Sequence, residues 1–280
     1  QRKVALEQYF VNSGHTAAAA RATSYFSSAS VASSQMGGID YYLFLKRLLA
    51  NWDRRLPALQ EILPNLADRI FTADEVTVSF TGPAEDRKRF WELGGTLGLE
   101  EQGENVCEHR LQIPAPKVAR EGFVIPSNVS FVARAAAPTT KDADTLGTWQ
   151  VATRALSFDY LWNEVRVKGG AYGVGFSHTT EGIRRFWSFR DPNVTSTLQR
   201  YDGAAAWLAS WTPTDDELSG YIVSSVATQD APEKPRALAR RQDMQRFNGR
   251  PANWRNIIRQ QELDTTAEAV RALAPALEPT

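Results

Sequence analysis

Apolar side chains between Ile39 and Ile70 recur at Tyr42, Leu45, Leu49, Trp52, Leu56, Leu59, Leu63, Leu66 and Ile70, alternating by three and four. That spacing is one helical stripe and predicts a helix pair whose stripe lies in a core. Pro57 and Pro64 each remove a backbone donor and crowd the preceding turn, which argues against a long supercoiled rod. The first residues, QRKVALEQYF, read as a helix entered without a cap, as in a piece of something longer. The period then changes. In EVTVSFTG, Val76, Val78 and Phe80 alternate with Thr77, Ser79 and Thr81 before Gly82, which predicts a half-buried strand, and residues 84 to 93 return to helix.

Residues 98 to 122 mix charges, glycines and prolines without sustained periodicity, which predicts a linker with a boundary near residue 110. Beyond it, GFVIPSNVSFVARAA offers strand material interrupted at Pro126. Leu146 to Arg166 then predicts a long helix with Phe158, Leu161 and Val165 on one face. Past Gly169 and Gly170, Tyr172, Val174 and Phe176 alternate with Ala171, Gly173 and Gly175, so one strand face is bulky and the other nearly bare, inviting a close neighbour. SHTTEGI turns the chain into a second strand, RRFWSFR, and the hairpin ends at Asp191 and Pro192, read as a cap and first-turn proline. Val194, Leu198, Tyr201, Ala205 and Leu208 form the expected buried stripe of the next helix. Thr214 with Glu217, and Thr265 with Glu268, read as capping boxes. Helices interleaved with hairpin strands predict an α+β fold: a largely antiparallel sheet with helices packed on one face.

Composition narrows the function. Lysines plus arginines number 32 and acidic residues 32, so no global field draws the chain to nucleic acid or an anionic membrane. No apolar run approaches the roughly 20 residues that span a bilayer, and the opening residues lack the apolar stretch of a secretory signal. A single cysteine, Cys107, excludes an internal disulfide and fits a reducing compartment, cytosol or organelle matrix.

His15, His109 and His178 are far apart, so no metal site is expected within the chain; HTTEG at 178 to 182 lacks the second histidine of an H-x-x-E-H pair and reads as a solvated loop. Cys107 has no partner motif, and there is no G-x-S-x-G turn. Gly170, Gly173 and Gly175 follow a helix and precede a strand, the reverse of the dinucleotide order. The basic stretch 233 to 250, with Arg240, Arg241 and Arg246, reads as a wet helix face, with nucleic-acid binding a distant third hypothesis. The hinge in LWNEVRVKGGAYG stands out. Arg166 closes the helix, where a cation also suits the helix dipole; Gly169 and Gly170 allow a tight reversal and Tyr172 opens the strand, so that a permanent cation and a phenolic donor can converge. Such a pair suits an oxygen that becomes negative in a transition state.

At these residues the sequence resembles the presequence protease branch of the pitrilysin and insulin-degrading-enzyme superfamily of zinc peptidases. LWNEVRVKGGAYG and FRDPNVTSTLQRYD resemble its C-terminal segments, while NSGHTAAAARATSYFSSA, QMGGIDYYLFLKRL and VTVSFTG resemble the end of its preceding domain. The resemblance implies two α+β units of the LuxS/MPP-like metallopeptidase type, the first incomplete. Residues 1–100 would belong to the third peptidase domain, 101–121 to a linker and 122–280 to the fourth. The chain stops at Thr280 where the family continues into a further strand, so the final sheet is expected to be incomplete, and Phe189 stands where a tyrosine is common, a change expected to concern packing.

What the resemblance implies for function is the C-terminal half of an endopeptidase that degrades short unfolded peptides in a closed chamber. Zinc would be bound by the N-terminal half, which is a required partner, and no cofactor by this chain. Arg166 and Tyr172 would bind the scissile carbonyl and stabilise the oxyanion, with Gly169 and Gly170 on the substrate approach. The chain alone would be inactive. The alternative is a non-catalytic peptide-binding or scaffold homologue of the same fold.

Overall fold

A computed structural model describes residues 1–73, 78–95, 98, 113–114, 117, 120–138 and 142–278. These residues group into two compact units. One comprises Gln1–Leu45, Ile113–Ala231 and Arg255–Thr280; the other comprises Lys46–Gln112 and Pro232–Trp254.

The chain opens with α1 (Arg2–Asn12), α2 (Gly14–Thr23), α3 (Ser28–Gly37) and α4 (Ile39–Ala50). Ser27 caps α3 by accepting from the backbone N–H of Ser30 at 3.3 Å. Arg21 of α2 donates to both oxygens of Glu121, at 2.5 and 2.7 Å, and to Asp40 Oδ2 at 3.0 Å. This fork binds the N-terminal helices to the segment that leads into the sheet. It also holds the Glu121 carboxyl below the ordinary glutamate value, chiefly through the hydrogen bond from Arg21.

The sheet has three antiparallel strands in the order β1 (Ala133–Ala136), β3 (Arg184–Phe189), β2 (Gly173–His178). Strand β2 pairs with β3 from Gly173↔Phe189 to His178↔Arg184, and β1 pairs with β3 from Ala133↔Trp187 to Ala136↔Arg184. The predicted hairpin is therefore present, with Gly182 at φ +83° in its turn. His178 is a correction: it is a buried strand residue stacked on Trp149 at 4.8 Å, outside the solvated part of the turn. Of the strand material before residue 137, four residues join the sheet, and Ser130 adds an isolated bridge to Asp191.

One sheet face carries Val174, Phe176, Phe186 and Ser188 toward α7 (Leu146–Ala155) and α8 (Thr195–Asp202). Trp149 lies 5.9 Å from Phe176, and Tyr201 stacks on Phe186 at 5.0 Å. These rings form the centre of the core with Val151, Leu156, Leu161, Val165 and Leu208. Burial raises the Tyr201 hydroxyl well above the ordinary tyrosine range, and the phenol donates to the Val132 carbonyl at 3.3 Å. The buried stripe of the helix after the hairpin differs from expectation. The chain is helical over α8 and again over α9 (Ala204–Ala209), burying Thr197, Tyr201, Ala204, Ala205 and Leu208, whereas Val194 and Leu198 are exposed. The helix starts at Thr195, so Asp191 does not cap its first turn.

On the opposite face, a Cβ on Gly175 would lie 2.5 Å from the Trp187 ring, so the indole from the neighbouring strand occupies the bare surface that the glycines leave. The start of α2 covers it, with His15 centred 5.1 Å from Trp187 and 4.8 Å from Phe189. Gly14 is required there, because a Cβ would meet the Phe131 ring at 2.2 Å.

This unit also holds α10 (Asp215–Asp230), most of α12 (Trp254–Leu263) and α13 (Ala267–Arg271). The capping box of Thr214 and Glu217 is formed in full. The second box is not: Thr266, one residue later, caps α13 by accepting from Ala269 N–H at 3.1 Å, while Thr265 turns inward to donate to the Gln261 carbonyl.

The second unit contains α5 (Trp52–Ile70), α6 (Ala84–Glu92) and α11 (Pro235–Phe247). Helix α5 runs through Pro57 and Pro64 and buries none of its side chains; Leu63, Leu66 and Ile70 are exposed. The expected burial of that stripe is corrected, because among the described residues no second layer lies over it. Helix α6 starts at its predicted residue and ends one residue earlier, at Glu92. Val76 and Thr77 of the predicted strand lie outside the described residues, as do Cys107 and His109, and residues 78–81 form no strand. Ser79 donates to Asp243 of α11 at 2.9 Å, and α11 has no buried residue.

Candidate functional site

The segment that carries Arg166 continues from α7 as a π-helix over Leu156–Val167, with Lys168 N–H reaching the Asn163 carbonyl at 3.0 Å, five residues back. The wider winding alters which residues share a face. Leu156, Leu161 and Val165 are buried, but Phe158 is 52% exposed, so the predicted face of Phe158, Leu161 and Val165 is corrected at its first member. Asp159 fixes the helix from below by accepting from the Trp211 indole at 3.3 Å and from the Tyr221 hydroxyl. That bond, after burial, pushes the Tyr221 hydroxyl above its ordinary range.

The hinge comes next. Gly170 adopts φ +80°, a region that favours glycine, and its N–H bonds the Arg166 carbonyl at 2.9 Å. Gly169 is needed for a different reason. A Cβ there would lie 2.4 Å from the Val165 carbonyl oxygen and 2.6 Å from Arg200 Nη1. Its own carbonyl accepts from Asn193 Nδ2 at 2.6 Å. Asn193 is set in turn by Asp191, a fully buried carboxylate that accepts from Asn193 N–H at 2.9 Å and from Thr197 Oγ1 at 2.8 Å. Arg190 is held at φ +48°, and its carbonyl accepts from Tyr172 N–H at 3.3 Å. The turn after β3 thus clips both sides of the hinge.

Arg166 and Tyr172 meet on this platform. The guanidinium carbon lies 5.9 Å from the Tyr172 ring centre and 3.8 Å from that of Trp162. Tyr172 is 66% exposed and Trp162 is 40% exposed, with Arg166 half-buried between them. The Tyr172 ring also stands edge-on to Phe189 at 5.9 Å, and Phe189 packs on Phe131 at 5.6 Å. Glu164, the nearest acid in sequence, pairs with Lys168. Among the described residues no carboxylate pairs with Arg166. The site therefore presents a permanent cation and a phenol with their donors uncommitted, able to receive an oxygen that carries negative charge. Gly169 is buried within the turn and Gly170 lies at the surface.

The described residues contain no group of three His, Cys, Asp or Glu side chains placed to hold a metal. His15 lies among Phe131, Trp187 and Phe189, where burial lowers its pKa and favours the neutral ring. Three residues of the site lie outside the candidates that the sequence indicates: Trp162, Asn193 and Arg190. Trp162 stands four residues before Arg166, a spacing that offered a signal; the other two become neighbours of the hinge through the β2–β3 pairing alone.

Residues 120–278 match the family described as the PreP C-terminal domain, and residues 1–48 match the domain described as associated with peptidase family M16, subfamily C. The chain is 29% identical over 232 residues to protein HypA of Clostridium perfringens, covering 83% of this chain and 24% of that protein. It is also 29% identical over 290 residues to presequence protease 1, chloroplastic/mitochondrial, of Arabidopsis thaliana, covering 99% of this chain and 26% of that protein. It thus spans about a quarter of the length of these relatives. Among solved structures, a putative zinc protease from Bordetella pertussis aligns with a TM-score of 0.43 at 15% identity, covering 51% of this chain and 84% of that one.

Proposed function

The chain belongs to the presequence protease family of M16 peptidases, through its PreP C-terminal domain, and on that premise we propose that it supplies the carbonyl-binding pair of a zinc-dependent endopeptidase acting on short unfolded peptides. Residues 1–100 are read as the end of the third peptidase domain, 101–121 as a linker and 122–280 as the fourth domain. An N-terminal half is the required partner, and the assembled halves enclose the peptide. The metal would be held there and would supply activation of water; this chain's own residues bind and orient the carbonyl.

Arg166 directs N–H donors at the scissile carbonyl oxygen, and Tyr172 donates its O–H to the same atom. As the carbonyl carbon becomes tetrahedral, the oxygen gains charge and both bonds strengthen, which lowers the barrier without binding the ground state equally well. Gly170, at the surface, keeps the approach clear of a side chain, whereas Gly169 is corrected from that role: it is buried and serves the close packing of the turn. The observation that carries the reading is a guanidinium with no carboxylate partner among the described residues beside an exposed phenol, on one hinge clipped by Asn193 and Arg190. No described helix is long and apolar enough to cross a membrane. A cytosolic or organelle-matrix compartment fits the single cysteine.

The test is substitution in the complete peptidase. Tyr172→Phe or Arg166→Ala lowers turnover by about 10² to 10³, with zinc content unchanged. Near-normal turnover in both discards the role and favours the non-catalytic scaffold, as does an upstream reading frame without the inverted H-x-x-E-H motif.

A further inference from the structure

We infer that Trp162 is a positioning residue for Arg166, an aromatic shelf that fixes the guanidinium while leaving its donors free. The inference rests on the oxyanion reading of Arg166 and Tyr172 above. An arginine side chain is long and has many rotamers, so a catalytic guanidinium must be anchored. The usual anchor is a carboxylate, which would consume two N–H donors and neutralise the charge that the oxyanion needs. Here Glu164 is engaged by Lys168, and the contact made instead is with the indole, 3.8 Å from the guanidinium carbon. A guanidinium held over an aromatic face is attracted through that face, whereas its five N–H groups point outward in its own plane. Anchoring and catalysis thus use different directions of the same group.

The helix that carries the shelf is anchored in the core. Trp162 and Arg166 are four apart on the π-helix, whose winding brings such positions over one another, and Leu161 and Val165 beside them are fully buried. Tyr172 closes the other side at 5.9 Å. Removal of the indole frees Arg166 to sample rotamers that carry its donors away from Tyr172.

The experiment is a double-mutant cycle in the complete peptidase. Trp162→Leu lowers kcat by about 3- to 30-fold with little change in KM, and Trp162→Phe, which keeps an aromatic face, recovers most of the loss. In an Arg166→Ala background the same Trp162→Leu change has less than about a 2-fold effect. An equal loss in both backgrounds overturns the inference and leaves the oxyanion reading standing, whereas near-normal turnover of both Arg166→Ala and Tyr172→Phe overturns the two together. Stepwise fluorination of Trp162, which withdraws charge from the ring face while keeping its shape, lowers kcat in step. A flat series overturns the inference even where Trp162→Leu fails to fold.

Discussion

Gly169 and Gly170 are adjacent and chemically identical, yet the fold requires them for opposite reasons. At Gly170 the constraint is the backbone, since φ is +80° and a Cβ would meet no atom closer than 3.5 Å. At Gly169 the constraint is space, with the Val165 carbonyl oxygen 2.4 Å from where a Cβ would stand. Asparagine tolerates the left-handed region, so Gly170→Asn is expected to cost less than about 1 kcal/mol. Gly169→Ala must push backbone against backbone and is expected to cost about 1–3 kcal/mol, near the upper end. Urea midpoints of the two variants check the ranking; equal midpoints would show that the turn relaxes around the added methyl. Arg190 carries the reverse cost, a non-glycine residue at φ +48° retained where its carbonyl holds Tyr172.

At the scale of elements, two helices packed across α7 set a pH dependence. Gly147 lets α7 approach α12 so closely that a Cβ would lie 2.6 Å from the Glu262 backbone nitrogen. The Glu262 carboxyl is sealed, with Oε1 accepting from Ser225 of α10 at 2.8 Å and the Gln229 side chain beside it. Burial raises its pKa above the ordinary 4.5. The folded state therefore holds this proton at pH values where the unfolded chain has released it. Its contribution to stability is full below about 4.5 and falls as pH rises toward the folded-state pKa. Glu262→Gln removes that decline, so stability of the variant relative to the parent rises across this window and then levels. Urea unfolding at a series of pH values measures the difference; a constant difference would mean that Glu262 titrates in the fold as it does in the unfolded chain.

At the scale of the molecule, the segments that match two different families, 1–48 and 120–278, contribute to the same compact unit. Helix α2 covers the sheet face that bears Trp187 and Phe189, and Arg21 ties it to Glu121. Removal of residues 1–48 is expected to bare these rings together with Phe131, lower the thermal midpoint and increase binding of a hydrophobic dye. A truncated chain with an unchanged midpoint and no added dye binding would show that α2 is dispensable to the sheet.

The sequence alone determined the features that depend on near neighbours. The hairpin of β2 and β3, the cap at Thr214, the start of α6 and the hinge between Arg166 and Tyr172 all stem from periodicity, turn chemistry and glycine within a dozen residues. The α+β class comes from their alternation. Where several outcomes were locally equivalent, tertiary structure decided. A stripe of three- and four-residue spacing is the same whether or not anything covers it, which is why α5 was expected to be buried and is exposed. An α-helix and a π-helix have the same apolar composition, so local spacing did not separate them over Leu156–Val167, and Asp159 in that segment is bonded by Trp211 and Tyr221, far along the chain. Asn193 reaches Gly169, and the Arg190 carbonyl reaches Tyr172, because strand pairing folds residues some twenty apart back on one another. Local spacing cannot specify such contacts, because their energy comes from groups that only the completed fold brings together.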